Sequence, residues 1–487
     1  MKKTLVALAL TALPAVMLSA CNGSATGGTG VAPLPNAPAS QHGRMRRNDN
    51  GPQDLHAGGA DIPAIAFNLG NQPVGYYNQT QQPPGQGSLF YAAPTTGTIY
   101  YCLTSSTDGR KAFYGSGDSG FPPTGPCAPL GAAATGFGGR QDPLDFVASA
   151  TALTSAEYTT YKSVREQGSV QWGEPFEFPV LGGSIGYGYR PQDFKSVSKS
   201  IVKLSTWTYC AIANGTIGDW NDAAITADNG KSVTGGNSEP ITFYFRSDSA
   251  GTTNNFTNVL NTVCNVSFAA PYNAPPYGSS SRSAAWSYGV NSTWPGPGSA
   301  NFPNANFIGE AGDPGILAAI QATPYGTGYI ASQYTKFANP KVLEAWFQNG
   351  FTNKKHTKPA FVNPGNALAL AASFKSLNAS SITYGEGSDL NPLGTTSPWC
   401  ILFINPSNYV TPPAKAWPVV DVTYMLFYGQ NNGVHVSDKT KLINFLESKS
   451  ARTIVNKLRY AVLSTSIQTA VLNALNGNGG SQPACLQ

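Results

Sequence analysis

The stretch from Ile241 to Val263 constrains the fold more than any other part of this 487-residue chain. Ile241-Thr242-Phe243-Tyr244-Phe245 reads as a strand, and it runs straight into Arg246-Ser247-Asp248-Ser249-Ala250-Gly251-Thr252-Thr253. From Asn254 to Val263 the apolar residues Phe256, Val259, Leu260 and Val263 then take helical spacing. Strand-like segments recur at Pro175–Val180, Ile185–Tyr189 and Val420–Tyr428, and amphipathic helical ones at Lys439–Leu446 and Ile467–Leu475. Strands alternating with helices predict an α/β architecture with open sheets. Apolar residues make up 41% of the chain, enough for a sizeable core, whereas 11% charged residues with 53 Gly and 37 Pro exclude a coiled coil or helical bundle. The length suggests two or three domains. The formal charge of +5 is spread thinly, with no Lys/Arg stripe interleaved with aromatics, so no nucleic-acid partner is expected. Residues 265–315, rich in Pro, Tyr, Ser, Asn and Gly, read as a long surface excursion, and there is no internal repeat.

The N-terminus is an address. Lys2 and Lys3 precede an apolar stretch from Leu5 to Met17, and residues 1–20 read as an export signal, too short for a membrane span. Leu18-Ser19-Ala20-Cys21 resembles a bacterial lipoprotein box, which implies lipidation at Cys21. Two or three acyl chains there would anchor the protein durably. Asn22 beside it resembles the signal that sends such proteins to the outer membrane. Residues 21–57 then form the anchor and a tether, poor in apolar residues and carrying Arg44, Arg46 and Arg47. The expected place is the cell envelope, facing the periplasm or the cell surface.

Apart from Cys21 the chain has six cysteines: Cys102, Cys127, Cys210, Cys264, Cys400 and Cys485. In an exported chain an even number suggests three disulfides among fifteen connectivities, and sequential pairing is the starting assignment. No C-x-x-C occurs and the four histidines (His42, His56, His356, His435) are scattered, so neither a metal nor a redox site is expected, and no cofactor.

The segment after the 241–245 strand can carry anion chemistry. A helix starting at Ser249, Ala250, Gly251 and Thr252 presents free backbone N–H groups, hydroxyls and the positive end of its dipole. Arg246 adds a planar fork of donors, and Asp248 can orient it through an ion pair. An ordinary N-cap with a surface arginine has the same pattern.

These residues also carry a likeness. Arg246-Ser247-Asp248-Ser249-Ala250-Gly251-Thr252-Thr253 resembles the R-S-[DE]-x-S-G-T-T motif of the phosphate-binding proteins that serve phosphate ABC importers, most of all their DING subgroup. Leu204–Trp220, Leu153–Tyr158, Trp172-Gly173 and Trp417-Pro418-Val419 extend the likeness over most of residues 57–475. It implies a two-lobed, periplasmic-binding-protein-like fold, with lobe 1 from 58–189 and 419–487 and lobe 2 from 190–418. Its hinge crossings would lie near Arg190 and Trp417, and sequential pairing would make Cys400–Cys485 a staple between lobes. The implied ligand is inorganic phosphate or a related oxyanion, taken up through a permease, with no catalysis.

The implied ligand set is Arg246, Ser249, Ala250, Gly251 and Thr252, with Asp248, Ser106, Asp61, Ile62 and Ser149. Two departures stand out. Ala250 occupies the place of a serine, losing a hydroxyl but keeping its backbone N–H. Ser149-Ala150 occupies the place of Ser-Asp, whose carboxylate accepts the proton of hydrogen phosphate. Asp61, in Gly58-Gly59-Ala60-Asp61-Ile62-Pro63, stands where the family has a threonine and is a candidate for the missing acceptor; a solvent-facing turn is the alternative. Ser116 rivals Ser106 for the early loop. Insertions are expected at 70–98, 115–140 and 265–310.

Two stretches imitate serine hydrolases. Gly182-Gly183-Ser184-Ile185-Gly186 matches G-x-S-x-G, but a strand runs through it, and Gly117-Asp118-Ser119-Gly120 lacks a fitting histidine. A DING-type phosphatase and an envelope scaffold with a degenerate pocket are the remaining alternatives.

Overall fold

The computed structural model describes residues 54–70, 84–115, 144–166, 172–268, 271–279, 281–429 and 435–487. Its centre is a ten-stranded sheet. Eight of the strands are β1 (Leu55–Gly59), β2 (Ile99–Leu103), β3 (Phe146–Ser149), β4 (Pro175–Tyr189), β5 (Thr242–Arg246), β6 (Phe307–Glu310), β7 (Gly326–Ala331) and β8 (Val420–Tyr428). Their order across the sheet is β2-β1-β3-β8-β4-β7-β5-β6, and the short strands Leu343–Glu344 and Ala461–Val462 also pair with β4. Parallel pairs occupy both ends, β1 with β2 and β3, and β5 with β6 and β7. Such pairs need crossovers, which is why helices fill the intervals. The five that matter here are α1 (Ser106–Tyr114), α2 (Ser155–Arg165), α3 (Gly251–Val263), α4 (Gly312–Ala322) and α5 (Thr465–Leu475).

The two strand segments read at 175–180 and 185–189 are one strand. β4 is buried along all fifteen residues, and its glycines let neighbours approach closely: a Cβ on Gly182 would sit 2.3 Å from Phe374. From Pro175 to Ser184 it pairs with β8, and from Ile185 to Tyr189 with β7, so it passes between two halves of the sheet. The partner changes at Ser184–Ile185, five residues before Arg190. Ser184 therefore lies inside a buried strand, not on a nucleophile turn. Ser119 falls outside the described residues.

Aromatic packing holds each half. Phe427 on β8 stacks on Phe146 and Phe178 at 4.8 and 5.9 Å in one, and Phe256 on α3 stacks on Tyr329 at 4.6 Å in the other. The described part of residues 265–315 is not all surface excursion. Trp286 and Trp294 are buried, their indole N–H groups donate to Gly289 and Pro297 carbonyls at 2.7 and 2.8 Å, and Trp294 stacks on Phe245 and Tyr329. Indole rings bury large apolar area once the N–H has a partner, which a count of polar residues does not register.

Disulfides join Cys210 to Cys264 and Cys400 to Cys485, both as sequential pairing predicts. Cys102 is disulfide-bonded too, while Cys127 and Cys21 fall outside the described residues. Cys400–Cys485 does not join the two halves. Cys400 precedes a strand, Leu402–Ile404, that pairs with Ile382–Tyr384, and Ile404 receives a hydrogen bond from the Tyr424 hydroxyl of β8. Cys485 lies in the tail folded back on α5, its N–H donating to the Ala474 carbonyl. Both cysteines thus sit beside the β8 half, and the bridge closes a loop within it.

Candidate functional site

The site forms where β5 ends and α3 begins. Arg246, last residue of β5, is fully buried, and its backbone N–H donates to the Tyr329 hydroxyl at 3.0 Å. An isolated guanidinium could not stay charged there, so its partners are decisive. Three carboxylates surround it. Asp248 takes Nε at 2.7 Å and also takes Nη2; Asp61 takes Nη2 at 3.2 Å; Asp313 Oδ2 lies 3.6 Å from Nη1. Burial pushes the Asp248 carboxyl up, but Arg246 outweighs it and holds the group below its ordinary range. Burial dominates for the other two: Asp61 is raised, and Asp313 is pushed up to about 8 although Arg246 opposes the shift. One guanidinium balances only one of three buried carboxylates, so burial favours the protonated form of Asp61 and Asp313 and the ionised form of Asp248.

Asp61 is 2% exposed, which rules out the solvent-facing turn. It is held by β1: Gly59, at φ +123°, lies so close to β3 that a Cβ there would stand 2.1 Å from the Ala148 carbonyl oxygen. Only glycine fits that approach. Asp61 Oδ2 accepts from the Asp313 N–H at 3.0 Å, and its carbonyl accepts from the Tyr334 hydroxyl. The Ile62 carbonyl accepts from the Tyr460 hydroxyl.

The starts of α1 and α3 meet here. No side chain caps α3, so the N–H groups of Gly251, Thr252 and Thr253 have no partner within the helix. Ser106 Oγ, first in α1, accepts from the Ala150 N–H at 3.0 Å and lies against Gly251, where a Cβ would stand 2.5 Å away. Ser249 Oγ bonds Thr107 Oγ1 at 2.9 Å. Ser105, the α1 N-cap, has φ +140°, an uncommon conformation for serine, fixed by its N–H donating to the Gly59 carbonyl. What assembles is a buried cation with one unengaged N–H edge, uncapped helix N–H groups and hydroxyls from both sides. Such a set can hold a small anion.

Of the residues singled out from sequence, Arg246, Asp248, Asp61, Ser106, Ser249 and Gly251 come together, with Thr252 buried beside them. Two do not serve as expected. The Ala250 N–H is consumed, donating to the Ser292 carbonyl of the 265–310 insertion at 2.8 Å. Ser149 Oγ accepts from Arg110 Nη1 at 2.9 Å and donates to the Thr151 carbonyl at 2.6 Å, so it anchors α1 instead. Ser116 falls outside the described residues. Sequence reading missed Asp313, Thr107 and Asn255, whose amide bonds the Ala150 carbonyl at 2.7 Å. Asp313 had a signal: Gly312-Asp313-Pro314-Gly315 before the apolar residues Ile316, Leu317 and Ile320 is a helix-start pattern with an acid in the first turn.

Two α/β halves joined through the long shared strand β4, with polar groups from both converging between them, define the periplasmic-binding-protein-like class. The chain belongs to the PBP superfamily domain family, whose model matches residues 131–447. It is 25% identical over 293 residues to a phosphate-binding protein of an unspecified prokaryote, covering 58% of this chain and 66% of that protein. It is 24% identical over 234 residues to alkaline phosphatase L of Pseudomonas aeruginosa, covering 47% of this chain and 49% of that one. The chain thus spans under two thirds of these relatives. A solved high-affinity periplasmic phosphate-binding protein, PfluDING with phosphate bound, shares the fold: TM-score 0.56, 18% identity, 89% of this chain and 99% of that one.

Proposed function

We propose that this protein binds inorganic phosphate, or a related oxyanion, between its two lobes for uptake. The observation that carries the reading is Arg246: fully buried, with Nη1 lacking a hydrogen-bond partner beside an uncapped helix start. The printed functions of the phosphate-binding relatives support it. Lobes from 58–189 with 419–487, and from 190–418 without the Ile382–Ile404 segment that packs beside β8, would close on the ligand, β4 and the approach to β8 acting as hinge. The protein acts without catalysis, delivers its ligand to a permease, and is held to the envelope by a lipid on Cys21.

Calorimetric titration of phosphate, arsenate and sulfate into the full chain tests this, beside Arg246→Lys, which keeps the charge but loses the fork. Micromolar or tighter binding is expected, weakened at least about 100-fold in the variant. No heat with any of the three anions would refute it. A scaffold role is favoured by one observation, the capture of the Ala250 N–H by Ser292, and would give that silent titration. Turnover of a phosphomonoester would instead support the phosphatase reading suggested by one relative's name.

A further inference from the structure

The run Gly182-Gly183-Ser184-Ile185-Gly186 forms no nucleophile turn, yet it marks the point where β4 passes from β8 to β7. Two acids press on it, one on either side of that change. Asp421, second in β8, pairs in register with Gly183, where a Cβ would stand 2.2 Å from Asp421 Oδ1. Glu344, in the short strand Leu343–Glu344 beside β4, lies against Gly186, where a Cβ would stand 2.8 Å from Glu344 Oε1. Only glycine lets a carboxyl lie so close to the strand. Both acids are buried, and neither Asp421 Oδ1 nor Glu344 Oε1 has a hydrogen-bond partner.

A bare carboxylate is costly in such a place unless a cation or several donors balance it. The groups facing Asp421 are the Thr423 hydroxyl, the Gly183 backbone and the hydroxyls of Tyr409 and Tyr424, none of them a cation. Those facing Glu344 are the hydroxyls of Ser332 and Thr335, Tyr189 on β4 and one cation, Arg459, which itself faces Lys336. Burial outweighs all of these and pushes both carboxyls up to about 7. We propose that Asp421 and Glu344 make the hinge proton-sensitive: both are carboxylic acids in the arrangement described, and each gives its proton to water when β4 bends at Ser184–Ile185 and its glycine contact opens. The proposal takes the hinge from the reading above but not the ligand.

Burial fixes the direction of the effect. The packed hinge binds these two protons more tightly than an opened one, where water reaches the acids and their affinities return toward the ordinary 3.8 and 4.5. Their support for the packed arrangement is full below those values and is lost as pH rises through about 7. Above that point the ratio of packed to opened hinge is expected to fall by up to about 100-fold per pH unit, about tenfold for each proton released.

The test is the distance between lobes in the full chain, free of phosphate and sulfate, between about pH 5.5 and about pH 8.5. Spin labels at Lys231→Cys and Lys449→Cys, two exposed positions, report it by electron paramagnetic resonance. The distance distribution is expected to shift reversibly with a midpoint near pH 7, while far-ultraviolet circular dichroism stays unchanged. Asp421→Asn and Glu344→Gln, uncharged at every pH, are each expected to reduce the shift, and together to hold the acid distribution at the alkaline end. A parent distribution that does not move with pH, or that moves only with unfolding, overturns the proposal, and so does a double variant that still moves at the same midpoint. The parent series decides even if a variant fails to fold. A silent phosphate titration, by contrast, would remove the anion reading and leave this result standing.

Discussion

The side-chain amide of Asn255, one turn into α3, donates to the carbonyl oxygen of Ala150 at 2.7 Å and to Gly251 at 3.1 Å. It ties the helix that follows Arg246 to the loop that follows β3, so one amide fixes the width of the site. The contact is buried and joins the two halves of the sheet.

Replacing Asn255 by Leu keeps the volume and removes the donors. The Ala150 carbonyl then stays unsatisfied, at a cost of about 1–3 kcal/mol. Denaturant unfolding is expected to show a lower midpoint with an unchanged slope.

Gly251→Ala tests the close approach of α1 and α3. The new methyl would stand 2.5 Å from Ser106 Oγ and 2.7 Å from the Ala150 Cβ, so the two halves must separate. Helix propensity alone would favour alanine by about 1 kcal/mol, so a stability loss would isolate the clash. Thermal unfolding and phosphate titration are both expected to worsen.

Cys210–Cys264 closes a loop of sequence separation 54 and joins the helix Thr206–Ala213 to the end of α3. Loop-closure entropy puts its contribution at about 4 kcal/mol. The double variant Cys210→Ser, Cys264→Ser is expected to unfold at lower denaturant than the parent and to lose most of its sensitivity to reductant in this lobe.

Glu177 of β4 sets a pH dependence of stability. It is fully buried, Oε2 accepts from the Leu153 N–H at 2.8 Å, and burial pushes its carboxyl up to about 8 from an ordinary 4.5. The folded state binds its proton more tightly than the unfolded chain does. Its stabilisation is therefore full below about pH 4.5 and is lost as pH rises through about 8. Glu177→Gln is expected to reduce the fall in melting temperature between those limits; an unchanged slope would remove Glu177 as its source.

Much of the fold was legible because it rests on local patterns. β8 spans Val420–Tyr428 as its apolar run predicts, and Ile467–Leu475 falls within α5. α3 begins at Gly251, three residues before the apolar spacing does; Gly251 is buried against Ser106 and Ala150 of the other half, and Thr253 bonds the Tyr329 hydroxyl, neither through its own hydrophobicity. Half of the site was legible on the same terms. Arg246, Asp248 and the helix start are neighbours in the chain, so their residue types and order already mark one candidate anion site.

The partners of Arg246 from elsewhere were not. Asp61 lies 185 residues from Arg246 and 252 from Asp313, and no local spacing relates them. Sequence by itself determined that a strand ending in arginine would feed a helix start, because backbone period acts over a few residues; that no side chain caps that helix came from the structure. Only the tertiary structure decided that two further carboxylates would share that arginine, that Ser149 would turn to Arg110, and that Ser292 would take the Ala250 N–H. Those outcomes depend on which buried polar groups are left without water, and that is settled only when distant segments pack together.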